Sequence, residues 1–353
     1  MFTPLEKFSN NNPESSSYRV SLTGLTLGNV RLSSRCILAP MAGITSLPFR
    51  VINRSYGCGC AFLEMINARS LSYLSRQTRE MLRTDDRDRP LGIQLLGSEP
   101  RFLLKALERL KEYPFDMLDF NAGCPKKKVL ARGEGADLLK EPGRLRELLR
   151  LLVRHSHVPV TVKIRSGWDS PEGLGDLVRS LEDTGISAIT VHGRTAVQGF
   201  RGRVDYRAIK TVKGAVAVPV IASGDIFSAQ MAKKMFDETG CDAVMVARGA
   251  WGNPWIFTQI HAVLEGSAEP ALPDIEEVVG VLKEHFRSCL AFYGAARGVV
   301  RFRKFYIWYT RGFSHVRSLR SAVKYAKNES EMMDLIEQFR LTGCRQTCCK
   351  KME

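Results

Sequence analysis

Eight short apolar runs punctuate the first 250 residues: CILAP (36–40), AFLEM (61–65), LGIQLL (91–96), MLDFN (117–121), VTVKI (160–164), AITVH (188–192), VPVIAS (218–223) and AVMVA (243–247). Each is rich in β-branched or bulky residues and too short for a helix, which marks a buried strand. Amphipathic stretches at helical spacing fill the gaps, as in PRFLLKALERLKEY (100–113) and GRLRELLRLLVRH (143–155). Eight strand–helix units of about 30 residues each predict a (β/α)8 TIM barrel. A doubly wound sheet is the competing arrangement, but it usually carries fewer strands. After WGNPWIF (251–257) the strand pattern stops. SAEPALPDIEE (267–277) is proline-rich and reads as a linker, and the pattern beyond it is helical. The plan is a loose tail over 1–18, a barrel over 19–266, a linker over 267–277, a small all-α domain of about four helices over 278–342, and a tail over 343–353.

A barrel of this kind carries its chemistry at the C-terminal ends of the strands. Those ends read Pro40-Met41-Ala42-Gly43, Glu64, Gln94, Asn121 with Cys124, Lys163, His192 with Arg194, Ser223-Gly224-Asp225 and Ala247-Arg248-Gly249. A purely structural barrel has no need of a polar or glycine-bearing motif at nearly every strand end. Lys163 stands inside an otherwise apolar run, where an unpaired lysine is rarely structural. A lone cysteine such as Cys124 is by default a small buried hydrophobe. Here Gly123 permits a tight turn and Pro125 restricts the residue before it to an extended conformation. KKKVLARGEGADLL (126–139) follows and reads as a mobile basic loop with glycine hinges at Gly133 and Gly135. No G-x-G-x-x-G follows a strand, so a separate dinucleotide-binding domain is not expected.

Composition narrows the class. The 353-residue chain is 44% hydrophobic and 25% charged, which is ordinary for a folded protein. No apolar run is long enough to cross a bilayer, and the polar N-terminus lacks the apolar core of a signal peptide. Nine irregularly spaced cysteines do not form a disulfide framework, and a reducing, cytoplasmic setting is expected. Cys344, Cys348 and Cys349 lack the second cluster that a metal site would need, so no metal is expected. The net charge of +15 is uneven: eleven Lys/Arg stand against Glu284 alone between Lys283 and Lys327, so that segment carries +10. One-sided charge of this size points to a polyanionic partner. In ARGVVRFRKFYIWYTRGF (296–313), Arg297, Arg301 and Lys304 share one helical face and Phe302, Tyr306 and Tyr309 another. The plain alternative is an amphipathic helix with a solvated basic side.

Six motifs, APMAGITSLPFR (39–50), NAGCPKKKV (121–129), VKIRSGWD (162–169), VHGRT (191–195), SGDI (223–226) and ARGAWGNPW (247–255), occur in this order at strand ends. Together they resemble the bacterial type of tRNA-dihydrouridine synthase, nearest its B-like subgroup, over roughly residues 20 to 340. The resemblance implies an FMN-carrying barrel that uses NADPH to reduce the C5–C6 double bond of particular uridines in tRNA. It makes Cys124 the acid that protonates C5. A free thiol is mostly protonated at neutral pH and can serve so, although the lysines beside it favour thiolate. It places Pro40, Met41 and Ala42 against the isoalloxazine, with Gln94, Lys163 and His192 at the flavin. Ser223, Gly224, Asp225, Ala247 and Arg248 then form the phosphate end; the family usually has Asn where this chain has Ser223. Asn121 and Arg194 are expected at the substrate, with Lys127, Arg297, Arg301 and Lys304 on the RNA. Phe305 replaces a histidine common in the family. The alternatives are an FMN barrel of the dihydroorotate or dihydropyrimidine dehydrogenase kind, and a non-enzymatic RNA-binding protein.

Overall fold

The computed structural model describes residues 24–345. The apolar runs become the barrel strands β1 (Cys36–Leu38), β2 (Cys60–Phe62), β3 (Leu91–Leu96), β4 (Met117–Ala122), β5 (Val160–Arg165), β6 (Ala188–His192), β7 (Val220–Ser223) and β8 (Ala243–Val246). Neighbours pair in parallel and in chain order, and β8 closes on β1 through Val244–Cys36 and Val246–Leu38, so the ring has no open edge. A two-residue antiparallel hairpin, Thr26–Leu27 with Val30–Arg31, places Leu27 with Ile37, Cys60, Met117 and Ala188 in the core inside the ring.

Because side chains alternate faces along a strand, the runs divide cleanly. In β4, Leu118 and Phe120 pack outward under the helices, while Met117 joins the inner core. Asp119 and Asn121 share the inward side with Met117. Parallel register stacks the inward polar residues in tiers. Gln94 lies opposite Asp119 and Asp119 opposite Thr161; one tier up, Asn121 lies opposite Lys163, and at the rim Arg165 and Ser223 flank His192. Apolar side chains thus fill the barrel from below and polar ones crown it.

The helical domain begins at Ile275. Its first helix, Ile275–Tyr293, begins three residues inside the stretch read as a linker, because Asp274 caps it by accepting the Glu277 amide at 2.8 Å. Ala295–Tyr309, Arg317–Ala322 and Glu329–Thr342 complete four α-helices among the described residues of this part. Phe302, Tyr306 and Tyr309 are buried in its core. Phe305 stacks on Phe49 of the barrel helix Leu47–Ser55 (5.5 Å, 23°), so the residue standing in place of the family's histidine is domain-interface core.

The basic face of Ala295–Tyr309 also differs from the expectation of a free RNA grip. Arg297 makes a two-pronged ion pair with Glu80 (2.9 and 2.7 Å). Lys304 is half-buried and donates to the Gly43 carbonyl in the loop after β1. Helical spacing put these cations on one side, and that side turns partly toward the barrel. In the helical domain, the exposed cations with no ion pair among the described residues are Arg287, Arg301, Arg311, Arg317, Lys324 and Lys327.

Trp251, just past β8, stacks on Trp308 (4.5 Å, 12°), a contact worth about 0.5–1.5 kcal/mol beyond its buried area. Gly252 beside it has φ +68°, and a Cβ there would stand 2.3 Å from the Trp308 carbonyl carbon. Gly252→Ala is therefore expected to loosen this docking, lowering Tm by about 3 °C or more in thermal unfolding. An unchanged Tm would contradict the close approach.

Candidate active site

One cavity of about 520 Å³ opens at the C-terminal end of the barrel. Its lining includes Pro40, Met41 and Ala42 just after β1, Gln94, Asn121 with Cys124, Lys163, His192, then Ser223, Gly224 and Asp225, and finally Ala247 and Arg248. Thirteen residues singled out by motif and strand position thus meet at one place. Lys127, Arg194, Arg297, Arg301 and Lys304 are not in this lining. Arg194 is 3% exposed and most of its guanidinium is engaged: it grips the Asp225 carboxylate and donates to the carbonyls of Arg201 and Gly202. It braces the loop after β6. Lys127 is exposed outside the rim, and Lys126 takes the lining position.

A directed chain of hydrogen bonds runs up the inside of the barrel to the cysteine. Thr161 Oγ1 donates to Asp119 Oδ1 (2.7 Å), and Gln94 Nε2 donates to Asp119 Oδ2 (2.7 Å). Asn121 Nδ2 donates to Gln94 Oε1 (2.9 Å), and Asn121 Oδ1 accepts from the Gly123 and Cys124 amides (3.1 and 2.9 Å). A carboxylate only accepts and a backbone N–H only donates, so the direction is fixed from both ends. Each amide keeps one N–H for the cavity, which is therefore presented with donors. Burial pushes the Asp119 carboxyl upward, against the pull of Gln94, Thr161 and Lys163.

The loop after β4 is folded rather than open. Residues Lys127–Leu130 form a helical turn and Gly135–Lys140 a 3-10 helix. The Ala136 amide donates to the Cys124 carbonyl (3.1 Å), and Glu134, 7% exposed, accepts from Asn67 (2.9 and 3.0 Å). Arg165 adds a second clamp, donating to the carbonyls of Gly123 (2.8 Å), Thr195 (2.9 Å) and Gly199 (2.7 Å). Cys124 is left half-buried, its thiol on the cavity side of a doubly fastened backbone.

The charged groups are arranged for a ligand. Lys163 has no hydrogen bond or ion pair among the described residues, and burial, with Arg165 adding, pushes its ammonium below the usual lysine range while Asp119 opposes. Burial among Lys163, Arg165, Arg194 and Arg248 pushes His192 down to about 2, so its ring is neutral at physiological pH. Its Nδ1 is buried without a hydrogen-bond partner among the described residues. Asp225 sits at φ +49° and holds both Arg194 (3.0 Å) and Arg248 (2.9 Å), aligning the latter at the rim. Gly224, at φ +132°, brings bare backbone to the same end. Sequence reasoning missed Asp119 and Arg165. The first carried the same signal as Lys163, a charged residue inside an apolar run.

The polarity of the amide chain is open to a direct check. Asp119→Leu leaves the Gln94 amide facing no acceptor, a loss of about 1–3 kcal/mol for a buried donor. Asp119→Asn can still accept from Gln94 while donating to the Thr161 hydroxyl. Thermal unfolding is expected to show a clearly lower Tm for Leu than for Asn; equal values would contradict the directed chain.

The chain is similar to known proteins along most of its length. The family model described as dihydrouridine synthase (Dus) matches residues 37–342. The chain is 38% identical over 315 residues to tRNA-dihydrouridine synthase B of Pseudomonas aeruginosa, covering 89% of this chain and 95% of that one. It is 35% identical over 316 residues to tRNA-dihydrouridine synthase B of Pasteurella multocida, with the same coverage. Among solved structures, histamine dehydrogenase from Rhizobium sp. 4-9 superposes with TM-score 0.55 at 13% identity, covering 76% of this chain. The 6-hydroxypseudooxynicotine amine oxidase of Pseudomonas geniculata N1 superposes with TM-score 0.55 at 15% identity, covering 75%. This chain spans about half the length of each (51% and 52%), and the likeness is one of fold. From the first barrel strand to the last helix, the chain belongs to the dihydrouridine synthase family.

Proposed function

We propose that this member of an oxidoreductase family reduces the C5–C6 double bond of uridines in tRNA, with FMN at the barrel mouth and NADPH as reductant, in the cytoplasm. The observation that carries the reading is the meeting of a thiol, a half-buried cation with no partner among the described residues and inward-facing amide donors in one cavity, beside a domain with a large excess of positive charge. No helix among the described residues is long and apolar enough to cross a membrane.

The residues present fit FMN. The buried, orphaned Nδ1 of His192 and the half-buried Lys163 ammonium, both without a partner among the described residues, are polar groups that a flat, heteroatom-edged ring would satisfy. Met41 and Ala42 offer it an apolar face. Gly224 and Arg248 suit a phosphate, since backbone N–H groups can approach it and Arg248 has donors beyond the one given to Asp225. FMN, when bound, supplies the hydride that reaches C6 of the uracil. Lys163 then stabilises negative charge at the ring edge. Gln94 donates its remaining N–H to the ring, and Asn121 its own to a uracil carbonyl, where charge builds as the double bond is reduced. Cys124 gives its proton to C5. Uracil in folded RNA is stacked and must be extruded to reach this depth.

On the helical domain, Arg311, Arg317, Lys324 and Lys327 are exposed cations with no ion pair among the described residues, and Tyr325 between the two lysines is 75% exposed. A basic surface with a bare aromatic ring suits phosphate contact and base stacking. A dehydrogenase of a free pyrimidine would make no use of such a surface.

Cys124→Ala is expected to keep bound flavin and NADPH oxidation while losing about a hundredfold or more of dihydrouridine formation, read by mass spectrometry of tRNA nucleosides; undiminished product would contradict the acid role. Reversing Arg311, Arg317 and Lys324 to Glu is expected to weaken tRNA binding by about tenfold or more at unchanged flavin content. Undisturbed affinity in a gel-shift titration would remove the RNA role from this surface.

A further inference from the structure

Arg248 stands at the rim of the catalytic cavity with its side chain 39% exposed. A long charged side chain so placed has many rotamers open to it, and holding it still costs entropy. Asp225 accepts one N–H from its Nη2 (2.9 Å). Two aromatic rings do the rest: the guanidinium carbon lies 5.2 Å from the centroid of Phe227 and 5.7 Å from that of Phe200. Attraction of a cation to a ring face acts through the whole charge and consumes no N–H. The Arg248 Nε and Nη1 accordingly have no hydrogen-bond partner among the described residues.

The two rings are not equivalent. Arg165, which clamps the Cys124 loop, also lies over Phe200 (5.4 Å), so a change at Phe200 disturbs the catalytic backbone as well. Phe227 has Arg248 as the one cation over its ring among the described residues. Its place is set by the backbone. Ile226 before it is buried in the core, and Gly249 comes so close that a Cβ there would collide with the Ile226 carbonyl oxygen. The loops after β7 and β8 thus touch where Phe227 and Arg248 branch off. The Phe227 ring itself is 45% exposed, so burial in the core does not account for it.

We propose that Phe227 is a positioning residue, which keeps the Arg248 guanidinium ordered with two nitrogens free for the flavin phosphate and so sets a preference for FMN over unphosphorylated riboflavin. This rests on the function proposed above, which gives the phosphate to Gly224 and Arg248. Two N–H groups of one guanidinium match two phosphate oxygens, and donors that are already ordered bind at a smaller entropic cost. Asp225 alone holds a single corner of Arg248 and is shared with Arg194 (3.0 Å), so the ring contact is what restrains the rest.

The test is fluorescence titration of FMN and of riboflavin into the flavin-free full chain, for wild type, Phe227→Leu and Phe227→Trp. It reads binding and needs no turnover. Leucine keeps an apolar side chain and removes the ring, whereas tryptophan keeps a ring. The Leu variant is expected to raise the Kd for FMN about fivefold or more at unchanged riboflavin affinity, with the Trp variant within about twofold of wild type for both. Unchanged FMN affinity in the Leu variant overturns the proposal. An equal loss of FMN and riboflavin affinity also overturns it, since the defect would then lie in the seat of the ring system, as does a Trp variant as weak as the Leu one. In each of these cases a wild type that binds FMN tightly leaves the proposed function standing. A wild type that binds riboflavin as tightly as FMN removes the phosphate seat and the proposal together, and one that binds neither flavin overturns the cofactor reading itself and Phe227 with it.

Discussion

Asp119 can only accept hydrogen bonds, and the amides of Gly123 and Cys124 can only donate them. Between these two ends, Gln94 and Asn121 have one consistent orientation, and it turns an N–H from each toward the cavity. Much of the site follows from this constraint. It fixes the backbone that carries Cys124, makes the floor of the cavity donor-rich, and sets a buried negative charge near Lys163, whose ammonium would otherwise be pushed further down by burial. The barrel makes the arrangement possible, because register alone places Gln94, Asp119 and Thr161 in one tier and Asn121 beside Lys163 in the next.

The helical domain belongs to the site more closely than a separate RNA-binding module would. Lys304 donates to the Gly43 carbonyl while Glu64 of the barrel accepts the Gly43 amide, so one peptide loop is held from both domains. Trp308 stacks on Trp251, whose indole N–H contacts the Met41 sulfur at 3.1 Å. Met41 and Ala42, which line the cavity, are therefore braced by the domain that also carries the excess of positive charge. Binding at one domain has a short mechanical route to the other.

How much of this was legible in the sequence depended on which interactions leave a local mark. The barrel did, because period-two apolar runs and intervening amphipathic stretches are short-range patterns. So did the position of Lys163, a cation stranded among β-branched residues. What the helix Ala295–Tyr309 faces left no such mark. Spacing shows that Arg297, Arg301 and Lys304 share a side, but only the tertiary structure shows that Glu80 and Gly43 wait opposite two of them. The Arg194–Asp225 pair left no local mark either, since the partners lie 31 residues apart on different strand ends. The stretch 126–139 reads as a hinged loop by composition, yet Asn67 and the Cys124 carbonyl fasten it.

The central claim is that one cavity holds the flavin and the reacting uracil together, with the Cys124 sulfur on the far side of the base. A crystal structure of the protein with FMN bound tests this most directly. The account predicts the isoalloxazine against Met41 and Ala42, its pyrimidine edge at Lys163 and Gln94, and a gap one nucleobase thick between the ring and the Cys124 sulfur. A flavin seated elsewhere, or a sulfur separated from the ring by more than that gap, would contradict it.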